Sequence, residues 1–176
     1  MATDKIQKLQ QAMRDVPDFP KPGIIFKDIT TILADGDLFK TAIDVFLEAN
    51  KGRKIDKVVG IDARGFIFGA AVAYQLGVGF IPVRKKGKLP FKTESVAYTL
   101  EYGESVVEMH VDAIAKGEKV VLIDDLLATG GTAAAAAKLI GKMGGELIEV
   151  QFLIELEFLH GRDKLKPFPV RSFLKY

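Results

Sequence analysis

Four nearly continuous apolar runs punctuate the chain: Lys57–Val58–Val59–Gly60–Ile61, Phe80–Ile81–Pro82–Val83, Val120–Val121–Leu122–Ile123, and Leu147 to Ile154. Short runs rich in Val and Ile read as strands covered on both faces. A helical stretch follows the first run as far as Leu76, and Thr132 to Met143 forms another between the third and fourth. Strands that alternate with helices predict an α/β fold, a mainly parallel central sheet with helices packed on its faces.

Upstream of these runs, Ile6, Leu9 and Met13 recur at helical spacing, and the helix they predict stops at Pro17. The stretch Pro17 to Gly23, with three prolines, excludes regular structure. Leu38, Ala42, Val45, Phe46 and Ala49 line one face of a second helix, with Asp35 or Asp37 as its cap. Two segments break the alternation. Val96 to Leu100 and Val106 to Val111 read as antiparallel strands around a projecting loop, Glu101 to Ser105. The tail after Glu155 carries Gly161, Pro167 and Pro169 and is expected to form a small irregular lobe. Ala133 to Ala137 reads as a helix packed tightly on the sheet.

Composition excludes several classes of function. The 176 residues fit one domain, and a net charge of +2 gives no bulk field for nucleic acid or a membrane. No cysteine is present, and His110 and His160 lie too far apart in sequence to suggest zinc; they read as a strand residue and a turn residue. The first residues lack the apolar run of a signal peptide, so a cytoplasmic protein is expected.

The chemistry concentrates in Val120 to Thr132. A buried strand delivers Asp124 and Asp125 to its C-terminal end, the side on which open α/β sheets bind ligands. Ala128, Thr129, Gly130, Gly131 and Thr132 then lead directly into a helix. The glycines let backbone N–H groups converge on an anion, and the helix start adds unpaired donors and partial positive charge. Such a loop cradles a phosphate without a lysine. Carboxylates only accept hydrogen bonds, so Asp124 and Asp125 suit adjacent sugar hydroxyls beside that phosphate.

Asp124–Asp125–Leu126–Leu127–Ala128–Thr129–Gly130–Gly131–Thr132 resembles the phosphoribosylpyrophosphate motif of the type I phosphoribosyltransferases. Further likeness lies in Gly23 to Ile29, Asp62–Ala63–Arg64–Gly65–Phe66, Arg84 to Pro90 and Leu100–Glu101–Tyr102–Gly103. Together these are similar to the adenine-using branch of that family. The resemblance implies a single domain over residues 1–176, with a projecting two-stranded loop and a small hood from about residues 1–35 and 156–176. It implies purine salvage: transfer of the 5-phosphoribosyl group from 5-phosphoribosyl-1-pyrophosphate to adenine, giving AMP and pyrophosphate. The same likeness puts Ala63, Arg64, Arg84 and Lys88 at the pyrophosphate, and the main chain of Ile25 and Lys27 with the ring of Phe26 at adenine. That backbone follows a proline-rich turn, where it need not be locked into a strand ladder. The position held by Ala128 is usually an aspartate in 6-oxopurine enzymes, so the acid–base role passes by resemblance to Glu101. Magnesium is implied as cofactor, held mainly by the substrate, with Asp124 or Asp125 contributing through water. A homodimer is implied too. A transferase for another base and a phosphoribosylpyrophosphate-sensing regulator are the alternatives.

Overall fold

The computed structural model describes residues 2–100 and 103–176, and the chain divides into two compact units, residues 1–49 and 50–176.

In the first unit, helix α1 (Ala2–Ala12) buries Leu9 completely. It ends earlier than Pro17 because the chain straightens into strand β1 (Arg14–Pro17). β1 pairs antiparallel with β2 (Ile25–Asp28), in the register Asp15 to Lys27 and Pro17 to Ile25. The proline-rich link between them is a turn, in which the Gly23 N–H donates to Asp18 Oδ1 at 2.7 Å. Asp28 ends β2 and accepts from the Thr30 N–H at 2.9 Å, at the start of the short helix α2 (Thr30–Ala34). That backbone bond, followed by the bonds from Arg14, pulls the Asp28 carboxyl down to about 2.

Helix α3 (Gly36–Asn50) buries Ala42, Val45 and Phe46, the spacing that the sequence shows. Of the two candidate caps, Asp35 serves: its Oδ1 accepts from the Leu38 N–H at 2.9 Å. Its extended backbone (φ −104°, ψ 121°) both ends α2 and opens α3. Asp35→Ala should cost about 1 kcal/mol, seen as a fall in Tm of roughly 2–4 °C without loss of activity.

The second unit is built on one seven-stranded sheet, in the order β5-β6-β4-β3-β7-β8-β9. β3 (Lys57–Ile61), β4 (Gly79–Lys85), β7 (Lys119–Leu127), β8 (Glu146–Glu155) and β9 (Val170–Lys175) run parallel. β5 (Thr93–Leu100) and β6 (Gly103–His110) form an antiparallel hairpin joined to β4. Thus Gly103 to Ser105, expected in a loop, belong to a strand, and the expected Glu101 lies outside the described residues. The tail is more regular than expected. Two 3-10 turns (Glu157–Leu159 and Gly161–Leu165) lead to β9, which completes the sheet beside β8.

Helix α4 (Arg64–Leu76) packs on β3 and β7, and α5 (Gly131–Lys142) joins the core that includes Val120, Leu122, Val150 and Phe152. Ala133, Ala135, Ala136 and Ala137 are buried. Small side chains there let α5 lie close to the sheet, so the loop before it is held close too.

Candidate active site

Because β3 and β7 are parallel neighbours, Gly60 opposite Ile123, their following loops emerge side by side. A cavity of about 260 Å³ lies between those loops, lined by Ile61 to Arg64 from β3 and by Asp124 to Ala133 from β7. Seven residues predicted to hold the sugar phosphate, and both Ala63 and Arg64, therefore meet in one place. Gly130 precedes α5 with φ +77°, a left-handed turn that L side chains rarely adopt, and offers no side-chain cap. The opening N–H groups of α5 accordingly face the cavity end of the helix, where a phosphate would supply the missing acceptors.

β7 continues through both aspartates to Leu127 rather than ending at them. Asp125 is buried and its Oδ2 lies 2.8 Å from Arg64 Nε. Asp124 is half-buried, and its Oδ1 accepts the Asp125 N–H at 2.9 Å. It presses on the start of α4, where a methyl group on Gly65 would sit 2.7 Å from that same oxygen. Burial, and then the charge of Asp125, push the Asp124 carboxyl well above the ordinary carboxylate range. Burial also raises Asp125, with Arg64 opposing it. Two acids held this way gain from any ligand that donates hydroxyl hydrogens to them.

A second cavity of about 230 Å³ adjoins the first through Ile61, Asp62 and Thr132, and is further lined by Arg84, Lys85, Tyr98 and Ser105. Arg84 is the last but one residue of β4, so the strand reaches further than Val83. Its Nε donates to Asp62 Oδ2 at 2.9 Å and its Nη1 to the Lys88 carbonyl at 3.1 Å. The side chain of Lys88 is exposed, and only its carbonyl is engaged with Arg84. The basic turn is fixed from below by Glu108, a buried acid that accepts from the Gly87 N–H at 2.9 Å and from Thr93 Oγ1 at 3.2 Å. Both arginines assigned to the leaving group are thus already paired with carboxylates, Arg64 with Asp125 and Arg84 with Asp62.

The residues predicted at the base lie in the first unit. Ile25, Phe26 and Lys27 are in β2 and therefore in a ladder, where the proline-rich turn left the backbone's pairing open. A proline-rich approach signals a turn but is silent about the strand that follows it. β2 belongs to a two-stranded sheet, so one of its edges carries no ladder bonds. Ile25 and Lys27, two residues apart, direct their main-chain groups toward the same edge. Phe26 meets Phe19 edge-on, centroids 5.2 Å apart, and Lys27 Nζ donates to Asp15 at 2.7 Å.

Sequence reasoning gave no role to the side chains of Asp62, Tyr98, Ser105 and Glu108. Tyr98 had a readable signal, alternation along β5, which carries its hydroxyl to within 3.1 Å of Thr132 Oγ1. Glu108 had none, since an isolated acid in a strand normally reads as solvent-facing. Among the described residues no three His, Asp or Glu side chains gather to hold a metal ion, and no helix is long and apolar enough to cross a membrane.

Comparison with known proteins bears directly on this arrangement. Residues 29–167 match the phosphoribosyl transferase domain family. The adenine phosphoribosyltransferase of Geotalea daltonii is 55% identical over 171 residues, 97% of this chain and 100% of that protein. A crystal structure of adenine phosphoribosyltransferase from Thermoanaerobacter pseudethanolicus superposes with a TM-score of 0.94 at 50% identity, covering 97% of this chain and 99% of the other. The Saccharomyces cerevisiae enzyme, complexed with an imino-altritol bisphosphate and adenine, gives a TM-score of 0.93 at 43% identity, with coverage of 97% and 99%.

Proposed function

From its membership of the adenine phosphoribosyltransferases, to which the chain belongs, we propose how its residues join adenine to 5-phosphoribosyl-1-pyrophosphate. The products are AMP and pyrophosphate, a purine-salvage reaction. The observation that carries the reading is the first cavity, where two acids and a glycine-turned helix start converge.

In this reading Ala128 to Thr132 bind the 5-phosphate through main-chain N–H groups and the threonine hydroxyls. Asp124 and Asp125 accept from the ribose hydroxyls. Ala63, through its backbone, and Arg64, Arg84 and Lys88 bind the pyrophosphate. Arg64 and Arg84 exchange the carboxylates of Asp125 and Asp62 for phosphate oxygens, and each exchange frees an acceptor beside the substrate. Main-chain groups of Ile25 and Lys27 read the amine and ring nitrogen of adenine, and Phe26 covers its face. As the bond from the anomeric carbon to pyrophosphate breaks, positive charge builds on the ribose and the N9–carbon bond forms. The N9 proton leaves to a carboxylate, and Glu101 fills that role by resemblance.

Asp62, Asp124 and Asp125 line the cavity, and the adjacent pair suits a magnesium ion held mainly by substrate oxygens and by Asp124 or Asp125 through water. Bound there, magnesium would offset the charge of the leaving pyrophosphate. A homodimer is also part of the reading. Ile67 and Tyr74, one heptad apart on α4, are 38% and 82% exposed and offer an apolar face for it. A cytoplasmic location fits a nucleotide-salvage role.

Spectrophotometry tests the whole. Adenine should be consumed only when phosphoribosylpyrophosphate and magnesium are both present, and guanine or orotate should not compete. Preferred turnover of either of those bases would end the adenine assignment.

A further inference from the structure

We infer that Gly161 and Arg162, in the tail after β8, shape the phosphate cradle from behind and set its affinity for the phosphorylated sugar. The inference rests on the reading that Ala128 to Thr132 hold the 5-phosphate.

Gly130 and Gly161 meet back to back. A methyl group on Gly130 would fall on the carbonyl oxygen of Gly161 and lie 3.0 Å from its carbon. In the other direction, a methyl group on Gly161 would fall on the carbonyl oxygen of Ala128, 2.9 Å from Leu127 Cδ1 and 3.1 Å from the Gly130 nitrogen. Most of these neighbours are backbone, which cannot swing aside as a side chain does. The two glycines differ in kind. Gly130 has a left-handed φ, so its lack of a side chain is already explained by conformation. Gly161 is not among the positive-φ residues, so space alone excludes a side chain there. Its smallness serves the loop it touches.

The tail is also anchored. Arg162 donates through Nε to Glu155 Oε1 at 2.6 Å and through Nη2 to Oε2 at 2.7 Å. Its Nη1 donates to the Val170 carbonyl at 2.8 Å, and Nη2 also reaches Ser172 Oγ at 3.2 Å. One planar fork thereby ties the turn to the end of β8 and to β9. Glu155 is buried, and although burial favours its neutral form, the bonds from Arg162 and Ser172 hold its carboxyl below the ordinary range. Just before the turn, the Leu156 N–H donates to the Leu127 carbonyl at 2.9 Å, bracing the end of β7 from the same side. Loop residues 128–130 therefore cannot retreat from an incoming phosphate, and the ligand meets a cradle already in place.

Gly161→Ala in the full-length chain tests this. Calorimetry with ribose 5-phosphate and with AMP should show Kd values raised about tenfold, and KM for phosphoribosylpyrophosphate should rise alike. KM for adenine and kcat should stay within about twofold, a split that general loss of structure does not produce. Arg162→Lys keeps the charge beside Glu155 but loses the fork. It should weaken the same ligands by a smaller factor, and it decides the matter if Gly161→Ala does not fold. A folded Gly161→Ala protein that binds ribose 5-phosphate as tightly as the wild type overturns the inference, as does equal weakening of adenine and sugar phosphate. Wild-type protein that fails to bind ribose 5-phosphate would instead overturn the assignment of the cradle.

Discussion

Replacing Asp124 and Asp125 together by asparagine should abolish AMP formation while making the unliganded protein harder to melt at neutral pH. In the proposed reading, both acids lose the charge that strengthens hydrogen bonds to ribose hydroxyls. Two such bonds, at about 2 kcal/mol each, amount to roughly a thousandfold in kcat/KM. The gain in stability has a separate origin. Both carboxyls have folded values raised above the ordinary 3.8, chiefly by burial. The native state therefore binds more protons than the unfolded chain once the pH passes 3.8, and stability falls as pH climbs from there through the folded values. Asparagine does not ionise, so the variant should escape that fall. Arg64, with 43% of its side chain exposed, can turn to water when Asp125 loses its charge. Thermal melts of both proteins from pH 4 to 8 should converge at the acid end and separate by a few degrees at the neutral end. A variant that keeps kcat/KM within about tenfold of the wild type, or that melts below the wild type at pH 8, contradicts this account.

Glu101→Gln should lower kcat by about a hundredfold or more, with a much smaller change in KM for phosphoribosylpyrophosphate. A glutamine keeps the size and polarity of the side chain but cannot take the N9 proton. The acidic limb of the pH–rate profile should vanish with it, which a merely spatial role would leave in place. Steady-state kinetics across pH settles the point, and unchanged turnover would remove Glu101 from the mechanism.

What the sequence made visible was the part that depends on local rules. β3, β7 and β8 are apolar runs that no other element accommodates, and α5 follows from glycine then alanine. The loop that lines the first cavity was legible for the same reason, since its glycines, threonines and helix start are consecutive. β9 was not, because Val170–Arg171–Ser172–Phe173–Leu174–Lys175 lacks strict alternation and follows two prolines, and only docking against β8 makes it a strand. β1 and β2 were hidden similarly: each is four residues long and gains its ladder from the other. Contacts between distant residues left no trace at all. Arg64 with Asp125, Arg84 with Asp62, and Gly161 against Ala128 each join positions whose spacing in sequence is arbitrary.

β7 lies inside its sheet, with β3 on one side and β8 on the other, while β5 has a neighbour on one side only. Amide hydrogens of Val121 and Leu122, midway along β7 with ladders on both sides, can therefore reach solvent only when the whole unit opens, and those of β5 when a single rung lets go. Deuterium uptake should consequently mark the middle of β7 as among the last to exchange and the outer hairpin strand as among the first. The strand that carries the paired aspartates and the hairpin beside the second cavity keep time by different clocks.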